Sequence, residues 1–172
     1  MKSLKEKTLL YKIRKEKDPD AFGQLYDAYA PKIFRFVSFK ISNKTEAEDL
    51  TSEIFLKAWR YLIGENQKAI QNFSGFIYRI ARNMIVDVYR ARAQQREISF
   101  DAPDVVVDVV TESHHEKTVV KSDADALLRD LRSMKQEYQD VLILRYMEGM
   151  HTHEIAQIMD KKNGAVRVLL HR

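Results

Sequence analysis

The chain of 172 residues contains no cysteine, which excludes disulfides and cysteine-ligated metal centres. Five glycines and three prolines leave little material for tight turns, so the composition is that of a mainly helical protein. No apolar run approaches the roughly 20 residues of a membrane span. The opening segment MKSLKEKTLLYKIRKEKD is charged throughout and lacks the apolar core of a secretory signal, so a cytoplasmic protein is expected. Glycine-rich phosphate loops, nucleophile elbows and paired metal-ligand motifs are missing as well. His114-His115 and the pair His151 and His153 have no convincing third ligand. No catalytic constellation is visible, and the expectation is no enzyme activity, no cofactor and no metal.

The apolar fraction of 45% is enough to build cores, in one domain or two small ones. A net charge of +4 and a pI near 9.2 favour an anionic partner only mildly. The distribution of charge is more telling. In Phe73–Arg96, Ile77, Ile80, Ala81, Met84, Ile85 and Val88 recur at helical spacing, and Asn72 or Ser74 can cap the start. The outer surface carries Arg79, Arg82, Arg90, Arg92 and Arg96 against one acid, Asp87. Phe73, Phe76, Tyr78 and Tyr89 are interleaved with them. Arginines reach phosphates and aromatic faces stack on unpaired bases, which suits opened nucleic acid. A solvated basic face over buried aromatics explains the same pattern, and composition alone favours that simpler reading.

In chain order, residues 4–16 read as a first helix with Leu9, Leu10 and Ile13 inward. Asp18-Pro19 reads as a helix start, burying Phe22, Leu25 and Tyr26 or Tyr29. Pro31 is expected to interrupt it and to open another helical stretch, KIFRFVSFKI. After a turn at Ser42-Asn43-Lys44, Thr45-Glu46-Ala47-Glu48 matches a capping box. Its helix, reaching about Leu62, has the core stripe Ala47, Leu50, Ile54, Ala58 and Leu62. Glu46, Asp49 and Glu53 share another face, with Phe55, Leu56 and Trp59 beside it; an aromatic beside acids can anchor a basic partner, or Trp59 can be core. Residues 64–72 form a polar connection.

Residues 101–116 hold Asp101, Asp104, Asp108, Glu112 and Glu116 with no lysine or arginine, so residues 97–122 read as a flexible acidic linker. Leu127, Leu128 and Leu131 mark one further helix, and Tyr138, Val141, Leu142, Leu144 and Tyr146 a second, ended by Gly149. THEIAQIMD and NGAVRVLLHR, separated by Lys161-Lys162, have the form of a helix-turn-helix.

Two blocks, in order, carry a resemblance. The first is AFGQLYDAYAPKIFRFV, AEDLTSEIFLKAWRYL and FIYRIARNMIVDVYR; the second is YQDVLILRYMEGMHTHEIAQIM and GAVRVLLHR. Together they resemble a bacterial RNA polymerase sigma factor of the extracytoplasmic-function (ECF) group of the sigma-70 family, over nearly the whole chain from about Leu9 except the linker. The resemblance implies an all-α fold. A helical bundle (sigma region 2) would span 1–96, the linker 97–122, and a helix-turn-helix domain (sigma region 4) 123–172.

It also implies roles. Asp49, Glu53, Phe55, Leu56 and Trp59 would bind core RNA polymerase. Asn72, Phe73, Arg79, Arg82, Asn83 and Arg90 would recognise and open the minus-ten element of promoter DNA, with a flipped base held by residues 64–72. Lys161, Lys162, Asn163, Arg167, His171 and Arg172 would meet the minus-thirty-five element, mostly at phosphates. The acidic linker is similar to a segment threaded through the polymerase, and an anti-sigma factor is an implied partner. The chain departs from the family pattern at His151, where Ser or Thr is usual, and at Asp160-Lys161-Lys162, where Gly-Ile-Ser is common. It departs again at Val168-Leu169, usually a polar pair. Two other readings compete: a stand-alone helix-turn-helix regulator that binds duplex DNA, and a helical scaffold acting through the Glu46–Glu53 face.

Overall fold

The computed structural model describes residues 2–65, 68, 70, 72–99, 130, 131 and 133–171, with backbone alone for 2–4 and 95–99. Every regular element among them is helical. Helix α1 (Lys2–Glu16) turns Leu9, Leu10 and Ile13 inward and ends at Lys17, whose φ of 52° lies in the left-handed region. Asp18 then caps α2 (Pro19–Ser38), accepting hydrogen bonds from the backbone N–H of Asp20 at 2.9 Å and Ala21 at 3.1 Å. Pro19 sits at the first helical position, where its missing N–H is not needed.

The expected break at Pro31 does not occur; α2 runs through it. An interior proline costs about 3 kcal/mol. Beyond it Ile33, Phe36 and Val37 are completely buried, and each large apolar side chain recovers about 1.5–3 kcal/mol. Burial wins.

Helix α3 (Lys44–Ile63) is capped by Asn43, not by the expected Thr45 box. Asn43 has the extended backbone of a cap, and its side-chain oxygen accepts from the N–H of Glu46 at 3.0 Å, whereas Thr45 already lies within the helix. The stripe Ala47, Leu50, Ile54, Ala58 and Leu62 is buried as expected.

Helix α4 (Phe73–Ser99) extends past Arg96 into the first three residues assigned to the linker. Asn72 accepts from the N–H of Gly75 at 3.1 Å, and Glu6 of α1 accepts from the N–H of Phe73 at 2.8 Å. The other oxygen of Glu6 accepts from the hydroxyl of Tyr29 at 2.8 Å. One carboxylate thus ties α1 and α2 to the positive end of α4. Burial, then Glu6, keeps the Tyr29 hydroxyl protonated beyond its usual range.

The C-terminal half comprises α5 (Gln136–Leu142), a π-helical turn (Ile143–Met147), α6 (Thr152–Met159) and α7 (Asn163–His171). Gly149 takes a φ of +66°, which explains a glycine there. Asp160 makes the turn between α6 and α7 with φ 53° and ψ 47°, a conformation that aspartate tolerates. His151 donates its backbone N–H to Glu154 at 2.8 Å, closing the start of α6. One buried apolar cluster runs through both halves, and α4 packs against α2, α3 and α6. The remainder of the expected linker, His114-His115, Leu127 and Leu128 lie outside the described residues.

Candidate nucleic-acid and polymerase interface

On α3, Asp49, Glu53 and Leu56 stand four and three residues apart on one exposed face, with Leu56 47% exposed. Neither carboxylate makes an ion pair among the described residues. Phe55 is a correction to the expected docking set: it is buried, packed edge-on against Tyr26 at 4.7 Å, and offers no contact surface. Trp59 is half-buried against Phe22 at 5.0 Å, so it is both core and edge.

On α4, Arg79, Asn83 and Arg90 are exposed and separated by four and seven residues, close to whole turns, so they form one stripe. Among the described residues, Arg90 has only an exposed contact with Asp87 at 3.5 Å. Arg92 pairs with Glu46 of α3. Phe73 is the second correction: it is completely buried in edge contact with Tyr29 and supports α4 from behind. Phe76 and Tyr78 are likewise core, and Tyr89 gives its hydroxyl to the carbonyl of Lys40 at 2.7 Å. The interleaved aromatics are therefore packing, as the simpler reading held. They stiffen the helix that presents the arginines.

Asn72 is exposed but engaged, capping α4 and lying 3.5 Å from Glu154 of α6. Residues 66, 67, 69 and 71 of the connection lie outside the described residues. On α7, Asn163, Arg167 and His171 occupy one exposed face at intervals of four. Lys162 is exposed beside them, Lys161 pairs with Glu137 at 2.8 Å, and Arg172 lies outside the described residues. Val168 is 54% exposed on the same helix.

Arg82 has a different setting from its neighbours. Its Nε donates to Oδ2 of Asp140 at 2.9 Å, and Nζ of Lys40 lies 2.6 Å from Oδ1 of the same carboxylate. The side chains of Lys40 and Asp140 are both fully buried. Burial pushes the Lys40 ammonium below its usual pKa, and Asp140 opposes that shift. Nearby, Arg35 pairs with Glu148, which also faces the buried Tyr78; burial first and that carboxylate second keep the Tyr78 hydroxyl protonated. Sequence reasoning missed Lys40, Asp140, Arg35 and Glu148. A signal existed for one of them: Asp140 lies three and four residues before Ile143 and Leu144, an acid on an inward stripe.

This order of helices matches known proteins. The Sigma-70 region 2 model matches residues 25–96, and the Sigma-70, region 4 model matches residues 124–172. The chain belongs to the sigma-70 family. It is similar to the ECF RNA polymerase sigma factor BldN of Streptomyces coelicolor, at 33% identity over 90% of this chain and 58% of that protein. It is also similar to SigW of Bacillus subtilis, at 28% identity over 92% of this chain and 87% of that one. The chain thus spans little more than half the length of the first relative and most of the second. In fold it resembles the sigma factor RpoE solved with the anti-sigma factor NepR from Bartonella quintana (TM-score 0.68, 20% identity, 88% and 90% coverage). It also resembles CnrH solved with the cytosolic domain of CnrY (TM-score 0.67, 18% identity, 99% and 90% coverage).

Proposed function

We propose that this sigma-70 family chain is the promoter-specificity subunit of a bacterial RNA polymerase. The observation that carries the reading is the juxtaposition of two unlike exposed faces on packed helices. Unpaired acids with Leu56 lie on α3, and Arg79, Asn83 and Arg90 lie on α4. The first suits a basic surface of core polymerase, and the second suits the DNA that core polymerase presents. Residues 1–96 form the core-binding and minus-ten domain, and residues 123–172 read the minus-thirty-five element through α7. Residues 97–122 join them. Strand opening draws on binding energy, so the chain itself catalyses no reaction. Among the described residues no helix is long and apolar enough to cross a membrane, and the proposed site of action is the cytoplasm. The likeness to RpoE, solved with the anti-sigma factor NepR, supports such a factor as a further partner.

The test is binding of the purified chain to core RNA polymerase, followed by permanganate footprinting over a promoter library. Tight association with promoter-specific thymine reactivity is expected. Duplex binding by the chain alone, without core association, would replace this reading with that of a stand-alone regulator. Within the assay, Leu56→Ala lowers core affinity about tenfold with little loss of stability, since an exposed anchor contributes to docking more than to folding.

A further inference from the structure

We propose that Lys40 and Arg82 form a binding site for a DNA backbone phosphate, and that the carboxylate of Asp140 occupies this site when the two halves are docked. The inference rests on the promoter-binding reading above and assigns it a site that the sequence did not show.

Two cations converge on one anion here. Lys40 lies just past the end of α2, Arg82 lies on α4, and each takes one oxygen of Asp140, at 2.6 Å and 2.9 Å. The arrangement is that of two donors on neighbouring non-bridging phosphate oxygens. Both cations belong to the N-terminal half, whereas the anion belongs to α5. The Lys40 end of the cationic side has contacts besides its counter-ion. The Lys40 backbone N–H donates to the carbonyl of Val37 at 2.9 Å, and its carbonyl accepts from the Tyr89 hydroxyl of α4 at 2.7 Å. The Phe36 ring lies 5.4 Å from Nζ.

Separating the halves therefore leaves two cations on neighbouring helical segments without their anion, next to the exposed stripe of Arg79 and Asn83. A charged pair stripped of its buried partner is strongly disfavoured until another anion or water replaces it. A phosphate of the strand lying along α4 meets that need. Docking and DNA binding then compete for one site, and the free chain holds DNA more weakly than the opened one.

The experiment titrates fluorescein-labelled single-stranded DNA of mixed sequence with the full chain over a salt series. Asp140→Asn is expected to bind at least threefold tighter than wild type. Adding Lys40→Gln to it abolishes the gain and lowers the slope of log affinity against log salt by about 0.7, the value for one phosphate contact on a single strand. Adding Lys40→Arg instead preserves both the slope and the far-UV circular dichroism of the parent, which separates loss of the charge from loss of the fold. An Asp140→Asn chain that binds no tighter than wild type, or a slope unmoved by Lys40→Gln, overturns the proposal and leaves the triad as cement between the halves. Core-polymerase binding measured in parallel reports separately on the promoter reading. A wild-type chain that ignores core polymerase sinks that reading, whereas the phosphate site stands or falls on the salt slope.

Discussion

Helices α1–α4 and helices α5–α7 are built on different scales. The N-terminal half buries Phe36, Phe73 and Tyr78 completely, with Ile13, Ile33, Ile41, Ile54, Leu62, Ile77 and Ile85, and its rings pair edge to face as in Phe36–Tyr78 at 5.4 Å. The described C-terminal residues bury aliphatic side chains such as Ile143, Leu144, Ile155 and Val166, and no aromatic. A unit near 40 residues encloses too little apolar surface to be secure alone. It leans on α4, and the seam carries the charged contacts Asp140 with Lys40 and Arg82, Glu148 with Arg35, and Glu154 with Asn72. The apolar part of the seam, where one buried cluster runs through both halves, has no substitute ligand, but its charged contacts can be exchanged for phosphate or water. The small half is thereby fastened in part by contacts that another anion can take over.

The strongest attempt to break this comparison is Phe36→Ala, which should destabilise the N-terminal half by about 3–5 kcal/mol and be read in urea by Trp59 fluorescence. The chain has a single tryptophan, on α3, so that signal follows the large half alone. Next in size is Leu144→Ala, costing about 2–5 kcal/mol. It should move an early step in far-UV circular dichroism while leaving the Trp59 transition in place. Coincident transitions for that variant would mean one cooperative unit and dissolve the contrast. Arg35→Ala leaves the Glu148 carboxylate, whose side chain is 3% exposed, without its cation, so a loss of about 1–3 kcal/mol is expected, confined to the early step. The smallest effect belongs to Lys44→Ala, whose 3.8 Å contact with Glu48 is open to solvent. Its unfolding midpoint should match wild type, because exposed i,i+4 pairs contribute only about 0.3–0.5 kcal/mol.

Much of the fold was legible in residue order. Asp18-Pro19, the stripe from Ala47 to Leu62, the stripe of α4 and the pair of short helices around Asp160-Lys161-Lys162 were readable because capping and amphipathicity are local. Pro31 misled, since its local penalty was visible and the burial that outweighs it was not. Asn43 displaced Thr45 because both can cap, and only the backbone dihedrals choose between them. For the candidate site, the stripes Asp49–Glu53–Leu56 and Arg79–Asn83–Arg90 were recoverable from spacing. The burial of Phe55 and Phe73 was not, because an aromatic at a stripe boundary turns inward or outward according to its neighbours.

Sequence by itself determined which segments are helices, where most of them begin and which faces carry charge, because hydrogen bonds and side chains within a turn or two settle those matters. Only the tertiary structure decided that Lys40 and Asp140 meet in a buried pair with Arg82 beside them. Their pairing depends on how α4 receives the C-terminal half, and a charge shows its partner only once the chain has brought the two together.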